Sequence, residues 1–197
     1  LPRWIHKTRW VDGWLPIDTY NRSVDALGDF RYRYDWEALR REIIAAGGIG
    51  HSCLVAFMPG ESSSKALGQP NSIYPVRDAT LGKTDGNVTI RWAAPDSDDD
   101  ACMYQSAWDI AEVDMLKAYA VFQKFTDQAI SADLWRRIRG DEKVSSTDLL
   151  AQYFAMFKYG IKTRYYYNSN VASGVSVSDG GRMSEAGDAG ACEGCTL

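Results

Sequence analysis

Cys53-Leu54-Val55-Ala56-Phe57-Met58 is a continuously apolar run, bounded by Gly50 on one side and by Pro59-Gly60 on the other. A short run without alternation predicts a strand buried on both faces, as in a parallel sheet or barrel. It also predicts that Cys53 is plain core. Pro59-Gly60-Glu61-Ser62-Ser63-Ser64 then breaks the strand with a small, hydroxyl-rich loop. If a helical turn begins near Ser62, its free N–H groups face out of the strand's carboxyl end. Gly60 permits close approach and the three hydroxyls add donors, which together suit a phosphate. The same composition serves an ordinary helix cap, and the Gly-Lys-Ser/Thr element of a P-loop is missing.

N-terminal to this run, Asp35 is placed to cap a helix that carries Trp36, Leu39, Ile43 and Ile44 on one side and stops at Gly47-Gly48. Glu37 precedes Arg41 by four residues, the favourable orientation for an ion pair. The segment from Trp4 to Tyr34 is rich in aromatics and arginine without a clean period, and Trp4-Ile5-His6-Lys7-Thr8-Arg9-Trp10 reads as aromatic–cationic surface packing rather than a nucleic-acid patch.

On the other side, Gln69 to Asp85 reads as irregular and Val88 to Trp92 as a half-exposed strand. Pro95-Asp96-Ser97-Asp98-Asp99-Asp100 lacks the glycine and the later glutamate of a calcium loop and reads as a solvated turn. Val113 to Ile130 has helical spacing, with Met115, Tyr119 and Phe122 on one line and Ala118, Phe122 and Phe125 on the next. Thr147 to Tyr159 predicts a second helix, with Ser145 and Asp148 as a capping box and Gly160 as its left-handed stop. Leu149, Leu150, Tyr153, Phe154, Met156 and Phe157 cover most of its circumference, so burial is expected. Ile161 to Tyr167 is a strand candidate. Its tyrosines Tyr165, Tyr166 and Tyr167 fit β-propensity and packing. Strand period sends neighbours to opposite faces, so a stacked Tyr165–Tyr166 pair would need a strand end or a local twist.

From Asn168 the composition changes: six glycines and five serines fall in the last thirty residues. Such a segment predicts a flexible tail. Near its end lie Cys192 and Cys195, a Cys-x-x-Cys pair able to close a small disulfide or to supply half a zinc site. The remaining candidates Cys53, Cys102, His6 and His51 do not complete a zinc spacing, so no metal site is expected. Cys102 reads as a surface or semi-buried residue. A dithiol on a tether of about 24 residues, with a coil reach of roughly 25–30 Å, suggests thiol delivery by exchange.

The whole chain has 197 residues, 22 Lys+Arg against 26 Asp+Glu, a net charge of −4 and 45% hydrophobic residues. That composition belongs to a packed core and argues against a chain that coats nucleic acid. No apolar run is long enough for a membrane span, and no signal segment opens the chain. Length alone predicts one domain with a tail. The first residue is Leu1, which suggests a processed product or a fragment and is not the Cys, Ser or Thr of a splice junction.

Several dispersed motifs in order carry a family resemblance. They are Leu15-Pro16-Ile17-Asp18-Thr19-Tyr20, Tyr34-Asp35-Trp36-Glu37-Ala38-Leu39-Arg40, Met58-Pro59-Gly60-Glu61-Ser62-Ser63-Ser64, Gln123-Lys124-Phe125-Thr126-Asp127-Gln128 and Gly160-Ile161-Lys162-Thr163-Arg164-Tyr165-Tyr166. With the cysteine-bearing tail after them, they resemble the C-terminal part of the large (α) subunit of class I ribonucleoside-diphosphate reductase. The resemblance implies an α/β fold, the C-terminal portion of a ten-stranded α/β barrel over residues 1–167, with a flexible redox tail over 168–197.

It also implies roles. Pro59, Gly60, Glu61, Ser62 and Ser63, with Ser64 as a neighbour, would bind the substrate diphosphate, Glu61 turning its carboxylate away. Tyr165 and Tyr166 would pass a radical toward an active-site cysteine, and Tyr167 has no counterpart. Cys192 and Cys195 would reduce the active-site disulfide and be re-reduced by thioredoxin or glutaredoxin, although many members space the two cysteines further apart. The catalytic cysteines and the ribose-handling asparagine and glutamate lie N-terminal to this region in the family, so an N-terminal portion of the large subunit is an expected partner. The metal-containing small (β) subunit would supply the radical, and the chain itself would bind no cofactor, nucleic acid or membrane. A cytoplasmic location follows. A catalytically silent nucleotide-binding or assembly module, or a free-standing dithiol carrier, would share the same features.

Overall fold

The computed structural model describes residues 9–19, 22–85, 88–95, 104–139, 142–171, 175–178 and 182–185. The chain divides into two compact, interleaved units, one built from Leu1–Phe57, Val113–Ala132 and Ala151–Arg164, the other from Met58–Glu112, Asp133–Leu150 and Tyr165–Leu197. Five α-helices are described: α1 (Arg22–Asp25), α2 (Trp36–Ala46), α3 (Glu61–Leu67), α4 (Glu112–Lys124) and α5 (Ser146–Lys158). Six strands accompany them: β1 (Thr80–Asp85), β2 (Val88–Ala93), β3 (Ala132–Ile138), β4 (Arg164–Val171), β5 (Val175–Ser178) and β6 (Arg182–Glu185).

The first unit is mainly helical. Two 3-10 turns, Arg9–Asp12 and Pro16–Thr19, bring Trp10 and Leu15 against Ile43 of α2, with Ile17, Trp36 and Ile49 around them. The Arg9 guanidinium lies 3.3 Å from the Trp14 ring centre, the aromatic–cationic packing expected of this stretch. Asp35 caps α2 by accepting the Ala38 N–H at 2.9 Å, and Gly47 ends it in the left-handed conformation. Glu37 pairs with Arg40, not Arg41. The Arg40 guanidinium is drawn inward because its other side grips Asp18 in a two-pronged contact at 2.7 and 2.9 Å. Gly13 lies beneath α2 with φ +76°, where an added Cβ would stand 2.7 Å from Ile44 Cδ1, so only glycine fits.

Helix α4 buries Met115, Leu116, Tyr119, Ala120, Gln123 and Lys124 along one stripe, while Phe122 stays exposed. It ends at Lys124 rather than near Ile130. The Gln123 amide donates to the carbonyls of Thr126 and Gln128 and accepts the Ile130 N–H, folding the chain into a turn. Phe125 beyond it meets the rings of Phe30, Tyr32 and Trp36.

The apolar run at residues 53–58 corrects the expectation of a buried strand. No strand is assigned there, Cys53 is exposed, and Leu54, Val55 and Met58 are 56%, 43% and 70% exposed. The N–H groups of Leu54 and Val55 go to the Asp127 carboxylate at 2.6 and 2.7 Å, and the Val55 carbonyl accepts from the Gln128 N–H. A strand needs neighbours to satisfy its backbone; here a carboxylate substitutes for one.

In the second unit, β1 and β2 pair as an antiparallel hairpin from Thr80↔Ala93 to Asp85↔Val88. This corrects the irregular reading of Gln69 to Asp85, since Gly86-Asn87 is the two-residue signal of a tight hairpin. Strand β3, which hydrophobic spacing did not announce, is paired with β4. It buries Leu134 and Trp135 but spends its next two positions on Arg136 and Arg137. Val175-Ser176-Val177-Ser178 alternates with period two and pairs antiparallel with Arg182–Glu185, so part of the segment expected to be a flexible tail has regular structure.

Helix α5 carries the capping box: Asp148 N–H to Ser145 Oγ at 3.1 Å and Ser145 N–H to Asp148 Oδ2 at 3.2 Å. Gly160 follows it with φ +70°. Its expected burial is corrected. Only Gln152 and Met156 are buried on the helix, and Phe154 and Phe157 are 71% and 85% exposed. Hydrophobicity all round a helix records how much surface it can bury, and here one side of that surface is uncovered. No helix among the described residues is long and apolar enough to cross a membrane.

Candidate active-site residues

The serine loop, the tyrosine pair and the strand that supports them all belong to the second unit. Helix α3 begins at Glu61, one residue before the expected start, with Gly60 at the cap position and no side chain capping it. The Gly60 N–H is held by Asn71 Oδ1 at 2.6 Å. Gly60 has φ −110°, and a Cβ there would meet only that oxygen at 3.8 Å, so neither backbone strain nor packing demands glycine. Ser62 and Ser63 are exposed, whereas Ser64 Oγ turns back to donate to the Glu61 carbonyl at 2.9 Å. The Glu61 carboxylate pairs with Lys65 at 2.7 Å, one helical turn on. Pro59 is half-buried at the entrance.

Tyr165 and Tyr166 lie at the start of β4. Their ring centres are 4.0 Å apart at 50°, and the Tyr166 hydroxyl donates to the Tyr165 hydroxyl at 3.2 Å. The strand-end geometry needed for adjacent side chains to meet is therefore present. Both rings are about half exposed. Tyr167 turns elsewhere: its hydroxyl donates to Glu112 Oε1 at 2.7 Å. Arg136 lies close by, bonded to Glu142 at 2.8 Å.

Asp133 meets the tyrosine pair, and no sequence signal had marked it. On β3, its Oδ1 accepts the Tyr166 backbone N–H at 3.0 Å. Burial pushes its pKa up to about 6; the Tyr166 N–H and the charge of Arg77 pull the other way, and Glu61 adds to the rise. Tyr74 is buried beside it, edge-on to Trp135 at 5.7 Å, and burial, followed by the charges of Asp133 and Tyr165, raises its phenol pKa. Because the folded pKa of Asp133 exceeds its unfolded value of 3.8, the folded chain binds more protons between about pH 4 and 6. Stability is therefore lost as pH rises through that window. Replacing Asp133 by Asn is expected to remove this loss, about 1–2 kcal/mol after allowing for partial exposure. Urea denaturation of both proteins at pH 4.5 and pH 8 measures it.

Cys192, Cys195 and Cys102, together with the acidic turn at Asp96 to Asp100, lie outside the described residues. Among the described residues, no three His, Cys, Asp or Glu side chains converge as a metal site would require.

Residues 1–167 match the family model of the ribonucleotide reductase barrel domain. The chain is 36% identical over 170 residues to the ribonucleoside-diphosphate reductase subunit alpha of Haemophilus influenzae, covering 84% of this chain and 22% of that protein. It is 36% identical over 171 residues to ribonucleoside-diphosphate reductase 1 subunit alpha of Escherichia coli, with the same two coverages. To the subunit alpha of Enterobacteria phage T4 it is 31% identical over 173 residues, 85% of this chain and 23% of the relative. The chain thus spans about a fifth of the length of these relatives. With the motifs spread from Leu15 to Tyr166 and the match extending over residues 1–167, this chain belongs to the ribonucleotide reductase barrel-domain family.

Proposed function

We propose that this sequence is the C-terminal part of a ribonucleoside-diphosphate reductase large subunit and needs the N-terminal portion of that subunit, joined to it or as a companion chain, for the catalytic cysteines. Its share of the reaction is threefold. The loop Pro59-Gly60-Glu61-Ser62-Ser63-Ser64 binds the diphosphate of the substrate, with the Ser62 and Ser63 hydroxyls and the uncapped start of α3 as donors. Lys65 holds the Glu61 carboxylate aside, which lowers its repulsion of the anion. Tyr165 and Tyr166 relay an oxidising equivalent: each phenol in turn loses one electron and one proton and regains both when the next group is oxidised. Cys192 and Cys195 deliver reducing equivalents. Their thiolates attack the active-site disulfide through a mixed disulfide, which leaves two thiols there and a Cys192–Cys195 disulfide in the tail. Thioredoxin or glutaredoxin then reduces that disulfide.

The observation that carries this reading is the hydroxyl contact of 3.2 Å between Tyr165 and Tyr166 in a chain of this family. Two phenols so close can exchange a proton and an electron together. The exposed apolar side chains Leu54, Val55, Phe154 and Phe157 are consistent with an N-terminal portion that completes the ten-stranded barrel. The small (β) subunit provides the metal-derived radical. Mixing the chain with the remainder of the large subunit and the small subunit is expected to give thioredoxin-dependent reduction of a ribonucleoside diphosphate. No turnover in the correctly assembled complex would overturn the reading. Changing both Cys192 and Cys195 to Ser is expected to leave about one turnover per active site, visible as a burst without a steady state.

A further inference from the structure

The Tyr165–Tyr166 contact has a specific support. In a regular strand, adjacent residues point to opposite faces, so two neighbouring rings 4.0 Å apart require an unusual setting of the peptide unit between them. That unit is planar and carries the Tyr166 N–H, and only the dihedrals on either side of it are free to rotate. Anchoring its N–H restricts the backbone rotations that would swing the two rings apart. Asp133 Oδ1 takes that N–H at 3.0 Å. At the next residue of β3 the roles are reversed, the Leu134 backbone carbonyl accepting from the Asn168 side chain at 3.1 Å. Side-chain groups thus supplement the β3–β4 pairing on both sides of Tyr167.

We propose that Asp133 is a positioning residue for the tyrosine pair: by holding the Tyr166 amide it sets the ring and hydroxyl geometry of Tyr165 and Tyr166. This rests on the relay reading for its consequence in turnover, but the geometric part is independent of it. Asp133 acts on the pair through the Tyr166 backbone amide. Its half-buried carboxylate feels the charges of Arg77 and Glu61, and Tyr74 nearby is buried.

Three variants separate the possibilities. Asp133→Asn keeps an acceptor at the same atom, Asp133→Ala removes it, and Asp133→Glu displaces it by one methylene. The ring-to-ring cross-relaxation between selectively labelled Tyr165 and Tyr166 is read by NMR on the full chain. It is expected to persist in Asp133→Asn, to be largely lost in Asp133→Ala and to be weakened in Asp133→Glu. In the assembled enzyme, Asp133→Ala is expected to lower kcat roughly 10–100-fold with KM for the diphosphate unchanged, and Asp133→Asn to restore most of it. Unchanged ring contacts in folded Asp133→Ala overturn the proposal. If that variant does not fold, unchanged contacts and kcat in Asp133→Glu overturn it instead. Should Tyr166→Phe turn over normally, the relay reading fails, while the NMR comparison still decides whether Asp133 sets the pair.

Discussion

If Tyr165 and Tyr166 form the proposed relay, Tyr166→Phe in the complex assembled with the rest of a large subunit and a small subunit is expected to lower turnover by at least roughly a thousand-fold. Phenylalanine keeps the ring and its packing but has no phenolic proton to release, so the oxidising equivalent meets a group it cannot readily oxidise. The loss should fall on kcat. Equilibrium dialysis with a nucleoside diphosphate is expected to show unchanged binding, because Pro59 to Ser64 does not use the hydroxyl. Tyr167→Phe is the internal control. It loses the bond to Glu112 at 2.7 Å and leaves the hydroxyl pair intact, so turnover should stay within a few-fold of the parent. If Tyr166→Phe retained a tenth or more of the parent rate, the relay assignment would fail.

The second large effect concerns stability. Lys124 is 2% exposed, its ammonium bonded to Asp25 and placed 4.9 and 5.6 Å from the ring centres of Phe30 and Tyr32. Burial alone would lower its pKa, but the bonds to Asp25 and Tyr32 outweigh burial and raise it. Its stabilising contribution is therefore complete below the unfolded lysine pKa and fades only as pH rises through the higher folded value. Asp25→Ala removes the main partner and leaves a buried cation. The expected cost at pH 7 is about 2–3 kcal/mol, below the usual range for a broken buried pair because Asp25 itself is half exposed. In that variant burial dominates, so the folded pKa falls below the unfolded one and the deficit should shrink as pH approaches 10. A lower urea midpoint at pH 7 that narrows at pH 10 is the expected result. Lys124→Met, which removes the charge with the pair, should lose less.

Local rules were legible where neighbouring residues decide the structure. Asp35 at the start of α2, the Ser145–Asp148 box and Gly160 after α5 each take a conformation that a few adjacent positions dictate. The β1–β2 hairpin was equally local, but its Gly86-Asn87 signal follows a stretch with Pro70, Pro75 and Gly82 that reads as irregular. Burial was harder to read. Residues 53–58 and α5 have the composition of core, yet composition states a capacity to be covered and not the presence of a cover. Asp133 could not be read at all. Its importance comes from the backbone group it meets 33 positions later, a relation that exists only once β3 and β4 are paired.

The uncovered aromatic side of α5 bears on supply as well as on architecture. Chaperones and proteases seize exposed apolar side chains, and Phe154 and Phe157 offer two on one helix. A surface that covers that helix is therefore expected to lengthen the lifetime of whatever polypeptide carries it.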